Sequence, residues 1–307
     1  TALGEEMIDP VEVGNSDDDM YTKDYSRTIS DWFLGHEYHK GSLHLSAGIL
    51  VSLDLENDSP AGLFPGMDVS YRFFHQSLKA YASINRSLRR PTFTDLFYAD
   101  PTNEGNPSLL PEKLLAVETG LQYQGAFQSN LTFFRDHGRD VIDWVWLPER
   151  ELYKAMNIAE IISRGLEFSF AYEPAYKADF FEVKKIRAAY AFIDLEKASD
   201  TYESKYSLDH LRHKLRFSLS HSITDFLKVD WQLSRNERHG EYLDYEAQSG
   251  RFLTKSFQPY CLLDVKIVYP GKYYNVFMEA NNLLDAEYTD VGSLIQPGRW
   301  IRIGAAI

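Results

Sequence analysis

The sequence predicts an all-β chain folded as an antiparallel transmembrane β-barrel, with about 14 strands in these 307 residues. Three observations predict it. The first is alternation. Leu43, Leu45, Ala47, Ile49, Val51 and Leu53 are interleaved with His44, Ser46, Gly48, Leu50, Ser52 and Asp54. The same pattern runs through Leu78–Asn85, Lys214–Ser220 and Leu227–Ser234. Apolar residues at every second position give a strand one apolar and one polar face. The second observation is an asymmetry of connections. Short turns are expected near Lys40–Gly41, His75–Gln76, Gly125–Ala126, Pro174–Ala175, Ser222–Ile223 and Pro270–Gly271, mostly 48 to 50 residues apart. Longer polar connections lie around 9–27, 54–63, 87–112, 147–154, 195–205, 236–256 and 284–297. Short turns at one end and long loops at the other are the habit of outer-membrane barrels. The third is the expected strand-end position of Phe73, Phe74, Tyr123, Tyr172, Tyr190, Tyr269, Tyr273 and Tyr274, where a barrel carries its interfacial girdle.

A spacing near 50 residues also suits a β-propeller. Propellers usually show glycine pairs or Trp-Asp dipeptides, and this sequence has neither. Its expected strands, of about ten residues or more, also exceed ordinary blade strands. Composition narrows the function classes. Aromatic residues make up 14%, too many for a disordered chain. Acids outnumber bases 45 to 32, for a net charge of −13, which argues against a nucleic-acid partner. Cys261 is the sole cysteine, so no intramolecular disulfide and no cysteine-based metal site is expected. No apolar run approaches the roughly 18 residues of a membrane helix. Thr1–Ile8, with Glu5 and Glu6, lacks the pattern of a signal peptide, so a mature chain or an excised fragment is expected.

No catalytic constellation is legible. Asp136-His137 and Asp209-His210 are sequence neighbours, whose side chains point to opposite faces of a strand. His210 and His213 also fall on opposite faces of a regular strand, which spoils a two-histidine metal clamp. Asp17, Asp18 and Asp19, with Asp9, Glu12 and Asp24, make the first long connection acidic. They lack the alternating spacing and glycine of a calcium loop, so a solvated loop is expected. The chain is read as no enzyme, with no cofactor and no metal.

Several segments resemble the C-terminal half of TonB-dependent outer-membrane receptors. They are Ser83-Ile-Asn-Arg-Ser-Leu-Arg-Arg-Pro-Thr-Phe-Thr-Asp-Leu-Phe-Tyr98, then Gly105-Asn-Pro-Ser-Leu-Leu-Pro-Glu112 and Glu118-Thr-Gly120. Asn157 leading to Arg164-Gly-Leu-Glu-Phe168 follows, then Asn281-Asn-Leu-Leu-Asp-Ala-Glu-Tyr288 and Pro297-Gly-Arg-Trp300. Their order and spacing make the resemblance specific, and it spans roughly residues 28–307. It implies a barrel of about 22 strands around a plug, of which residues 1–307 would supply the C-terminal portion, from the ninth strand on. Neither the plug nor a TonB-interaction box is found in the sequence. The chain also ends Ala305-Ala306-Ile307 where such barrels generally end on an aromatic residue.

The resemblance implies a receptor in a Gram-negative outer membrane that captures a large, scarce nutrient and imports it with energy from the TonB complex acting on the plug. Cobalamin or a ferric siderophore is the expected ligand, with a slight preference for cobalamin. Haem is the runner-up, weakened because residues 92–105 contain no histidine. Outer-membrane lipid and a surface lipoprotein are further expected partners. A plug-less 14-strand pore and a soluble propeller-like binding module are the readings from other classes. Ligand contacts are expected at Phe93, Phe97, Tyr98, Trp144, Trp146, Tyr153, Tyr242 and Tyr245, since flat rings offer large contact area at low entropy cost. Asn106 would orient the ligand by hydrogen bonds. These rings could equally hold the loops against one another or belong to the outer girdle.

Overall fold

The computed structural model describes residues 3–10, 21–55, 62–175, 180–197, 210–224, 226–246, 250–291 and 294–306. In chain order the elements are β1 (Leu3–Pro10), β2 (Tyr21–Lys40), β3 (Leu43–Asp54), β4 (Gly62–Phe73), β5 (Leu78–Arg89) and the short helix α1 (Phe93–Phe97). Two-residue strands β6 (Ala99–Asp100) and β7 (Asn103–Glu104) precede β8 (Glu112–Gln124), β9 (Gln128–Leu147), β10 (Leu152–Tyr172), β11 (Phe181–Lys197), β12 (His210–Ile223) and β13 (Leu227–His239). A hairpin of β14 (Glu241–Glu246) and β15 (Arg251–Ser256) leads to β16 (Tyr260–Pro270) and β17 (Asn275–Asn281). A second small hairpin, β18 (Thr289–Val291) and β19 (Leu294–Ile295), leads to β20 (Trp300–Ala306).

Fourteen of these strands form one antiparallel meander, β1-β2-β3-β4-β5-β8-β9-β10-β11-β12-β13-β16-β17-β20. That is the number the alternation predicts. A single continuous sheet excludes the radial blades of a propeller. The sheet is open, with β1 and β20 as its edges among the described residues, which does not fit a closed 14-strand pore. No described helix is long and apolar enough to cross a membrane, which says nothing about strands.

Residues paired directly across strands share a face, so the registers place every strand's faces. One row runs Leu45, Val69, Ala82, Thr119, Phe133, Leu166, Phe192. Another runs Leu219, Trp231, Val265, Ala280, Ile301. Side chains in such rows remain exposed although apolar: Met67, Val117, Leu121, Ile301 and Ile303 all have large free surfaces. A band of this kind is what a barrel turns toward lipid. At its loop end the same face becomes charged, where Arg164 pairs with Asp194 at 3.0 Å and with Glu196.

The opposite face is polar. Its rows include Ser70, Tyr81, Gly120, Thr132 and Glu167. Tyr81 lies flat over Gly120, where an added Cβ would stand 2.6 Å from the phenol oxygen, and reaches Thr132 Oγ1 at 2.7 Å. Glu279 gathers Lys266 at 2.7 Å and Arg302, tying β16, β17 and β20 together. Unsatisfied charge on this face is limited by such cross-strand pairing.

Several details depart from the sequence reading. Tyr190 is not at a strand end; it sits inside β11 on the apolar face, bonded to His213 Nδ1 at 2.8 Å. A bulge between Leu211 and His213 adds a residue to β12, so His210 and His213 return to the same side of the ladder. They still form no clamp: the His210 ring faces that of His239 at 5.6 Å, and His213 engages Tyr190. β2 starts at Tyr21, inside the connection expected over 9–27, and β12 runs through Ile223, moving that turn to Thr224, which has a positive φ of 55°. The acidic residues 17–19 lie outside the described residues.

The two-faced register has a direct test. In a lipid bilayer, Ala82→Arg should destabilise the barrel by about 2–4 kcal/mol. Ser83→Arg, on the polar face between Asp68 and Glu118, should be tolerated. Urea titration of both variants in lipid reads the difference, and equal cost at the two positions would contradict the assigned faces.

Candidate ligand-binding loops

The connection between β5 and β8 folds back on the protruding β9–β10 hairpin. Its two ends are closed by one guanidinium. Arg89 donates through Nε and one terminal nitrogen to both oxygens of Glu112, each at 2.7 Å, and through the other to Asp95 at 3.3 Å. Arg89 and Glu112 are also directly paired across β5 and β8. A planar fork on a carboxylate fixes direction as well as distance. Glu112 Oε1 further accepts the Ile142 N–H at 2.7 Å, carrying the link to β9.

Inside the loop, Thr92 and Asp95 form a reciprocal capping box at the start of α1, a cap worth about 1 kcal/mol. Gly105 passes so close to the Leu96–Phe97 backbone that an added Cβ would stand 2.8 Å from it. Asn157 on β10 accepts the Leu110 N–H at 2.8 Å and donates to the carbonyls of Leu110, at 2.9 Å, and Asp140, at 2.6 Å. Leu109, Ile142 and Ala155 form a small buried cluster under the loop, flanked by Leu96 and Trp144. Burying a leucine side chain of this kind contributes roughly 1.5–3 kcal/mol. At the loop tip, Tyr98 donates to Asp100 at 2.8 Å, and Thr102 and Asn103 donate to the same carboxylate. The Thr102 backbone N–H holds the Asp100 carboxyl well below the usual range, and the Tyr98–Asp100 bond pushes the phenol up. A depressed carboxyl stabilises the tip at neutral pH, and that contribution disappears only as pH falls through the lowered value.

The candidate residues divide into groups. Phe93 is buried, with the Arg27 guanidinium 5.3 Å from its ring centre, and Phe97 stacks on Tyr25 at 3.8 Å. Both rings anchor α1 to β2. Tyr98 meets Trp144 edge-on at 6.2 Å, and Trp146 meets Tyr153 at 5.1 Å. The Asn106 side chain caps its own turn by accepting the Ser108 N–H at 3.0 Å. Tyr242 and Tyr245 sit apart on the β14–β15 hairpin, where Tyr242 contacts Phe257 at 4.9 Å and Tyr245 is 56% exposed. Thus Tyr98, Trp144, Trp146 and Tyr153 come together as partly exposed rings, while Tyr242 and Tyr245 point to opposite faces of the β14–β15 hairpin and form no common patch.

The family model for the TonB dependent receptor-like β-barrel matches residues 8–283. The chain belongs to this family. The TonB-dependent receptor fold also appears in solved structures of low identity. The FrpB iron transporter from Neisseria meningitidis (F3-3 variant) aligns with a TM-score of 0.69 and 15% identity, covering 92% of this chain and 45% of that one. A mutant ferric enterobactin receptor from Pseudomonas aeruginosa, in complex with enterobactin, aligns at 0.68 and 17%, covering 93% and 46%. The copper transporter OprC aligns at 0.66 and 15%, covering 91% and 47%. The chain therefore spans about half the length of the solved structures it matches. The family is one of receptors and transporters rather than enzymes.

Within this receptor barrel the segments that carried the resemblance prove to be the scaffold of the loops. Arg89, Asp95, Gly105, Glu112 and Asn157 all stood in those segments, yet no role for them was legible one residue at a time. The last segment works the same way: Asn282, 5% exposed, exchanges hydrogen bonds with Ala286, and Asp285 accepts the Arg299 N–H at 2.8 Å.

Asn157→Ala removes two hydrogen bonds between the hairpin and the loop and one within the hairpin, and Gly105→Ala forces two backbones apart. Each should make residues 90–111 the first site of limited proteolysis while the barrel remains folded. Cleavage elsewhere first, or none, would mean that these contacts do not hold the loop.

Proposed function

We propose that the protein is an outer-membrane receptor of a Gram-negative bacterium that captures a ferric siderophore at its loop end for TonB-driven import. The observation that carries this reading is the aromatic floor of Tyr98, Trp144, Trp146 and Tyr153, held rigid by Arg89–Glu112 and Asn157. A preorganised patch of flat rings binds a bulky, rigid chelate at low ordering cost. Structural neighbours described as an iron transporter and as a receptor in complex with enterobactin support the siderophore over the cobalamin favoured from resemblance alone. Cobalamin stays the second ligand of this reading, because a corrin also suits flat rings.

Residues 1–307 act, in this reading, as the C-terminal part of a larger plugged barrel. In lipid, the free edges of β1 and β20 would leave backbone groups unsatisfied at several kcal/mol each. Further strands of the same receptor would cover both edges, and the plug they enclose would meet the TonB complex. Lipid surrounds the apolar band; a surface lipoprotein would approach from the loop end. The net charge of −13 leaves nucleic acid out of the partner set.

Binding is measured by tryptophan fluorescence on the detergent-purified receptor with ferric enterobactin, cobalamin and haem in parallel. The ferric siderophore should quench saturably, and Trp144→Ala or Trp146→Ala should weaken it about tenfold or more, as for a buried aromatic anchor. Saturable binding of cobalamin alone would replace the ligand. Siderophore binding indifferent to both tryptophans would dismiss the aromatic floor.

A further inference from the structure

At the short-turn end, on the polar face, three metal-ligating side chains meet where the proposed ligand site has no reach. The β2–β3 turn closes with Lys40 opposite Leu43, and the next pair along the ladder is His39 opposite His44. Directly paired residues share a face, so both imidazoles project from the same side of the hairpin. Glu37 lies two residues before His39 and joins them there. One ligand atom from each residue lies within 4.8 Å of the other two. Glu37 Oε2 is 3.5 Å from His39 Nε2, and the two imidazole rings are stacked 4.2 Å apart. His44 Nε2 is buried and has no hydrogen-bond partner.

We propose that Glu37, His39 and His44 form a binding site for a divalent transition-metal ion of the Zn²⁺ or Cu²⁺ kind. Two imidazole nitrogens and one carboxylate oxygen are a donor set that such borderline ions take, whereas Ca²⁺ and Mg²⁺ require oxygen ligands throughout. Donor atoms around a tetrahedral zinc ion lie roughly 3.3 Å apart. The stacked rings must open by rotation about their side-chain torsions, because each nitrogen lone pair lies in its ring plane, and that rotation aims both lone pairs at one ion. No backbone movement is needed, because the ladder already holds the histidines face to face. Three protein ligands leave a coordination position open to water. The buried His44 nitrogen gains the partner that it lacks, and the ion staples β2 to β3 beside their turn.

The test is a calorimetric titration of Zn²⁺ into the full receptor, purified in detergent and stripped with EDTA. One ion per chain should bind with a dissociation constant in the micromolar range or below. His39→Gln and His44→Gln should each weaken it at least tenfold, and Glu37→Gln several-fold. His36→Gln, on the opposite face of β2, should leave it unchanged. Excess Ca²⁺ should not compete. These exposed or half-buried positions are conservative enough to keep the fold, which the heat-dependent gel mobility of each variant checks. Copper(II) EPR of the unsubstituted receptor gives an independent readout, with coupling to two nitrogens expected. No saturable Zn²⁺ binding, equal loss in His36→Gln, or displacement by Ca²⁺ would overturn the site.

Discussion

Every other feature of this structure depends on the continuous lateral pairing of its strands. A backbone that crosses lipid has no water to satisfy its N–H and C=O groups, so neighbouring strands must take all of them. Fourteen strands in sequence order meet that demand by pairing side by side, except along the outer edges of β1 and β20. Once the ladder is fixed, the pleat does the rest. Alternate side chains go to opposite faces, one apolar and one polar, and a single register sets both for the whole sheet. The tight approaches on the polar face, such as Tyr81 over Gly120, are consequences of that register.

The ladder also explains how loops gain precise form. β9 and β10 continue for 20 and 21 residues, about twice what a bilayer crossing needs. The excess stands clear as a hairpin and offers a surface on which residues 90–111 can fold. Arg89 and Glu112 close that loop at its base because they are register partners, and Asn157 fastens its far side from the hairpin. A loop fixed at both ends and underlain by Leu109, Ile142 and Ala155 can present aromatic rings without ordering them on binding.

Much of this was legible beforehand. Strand number, faces and the short-turn end follow from a period of two, which survives even where no residue is conspicuous. The loop end was harder to read for a physical reason. Past the length that a bilayer crossing needs, β9 and β10 carry the loop packing around Leu109, Ile142 and Ala155 instead of one open apolar face, so the alternation fades, and the β14–β15 and β18–β19 hairpins fall wholly within stretches that look like polar connections. The bulge in β12 shows another limit. One inserted residue puts His210 and His213 on the same side where a regular strand would put them on opposite faces, and nothing in the local composition marks it. Among the candidate ligand contacts, Phe93, Phe97 and Asn106 serve the loop's own architecture. The aromatic cluster around Trp144 required contacts between segments about 45 residues apart, which no local pattern encodes.

The central claim is that this sheet is a barrel wall with lipid on one face. Spin labels placed singly at positions 78 to 85 of β5, in a Cys261→Ser background reconstituted into bilayers, test it directly. Collision with oxygen, which concentrates in lipid, should be high at Leu78, Ala80, Ala82 and Ile84 and low at Lys79, Tyr81, Ser83 and Asn85, with a strict period of two. Uniform access to a water-soluble relaxation agent at all eight positions would contradict the account.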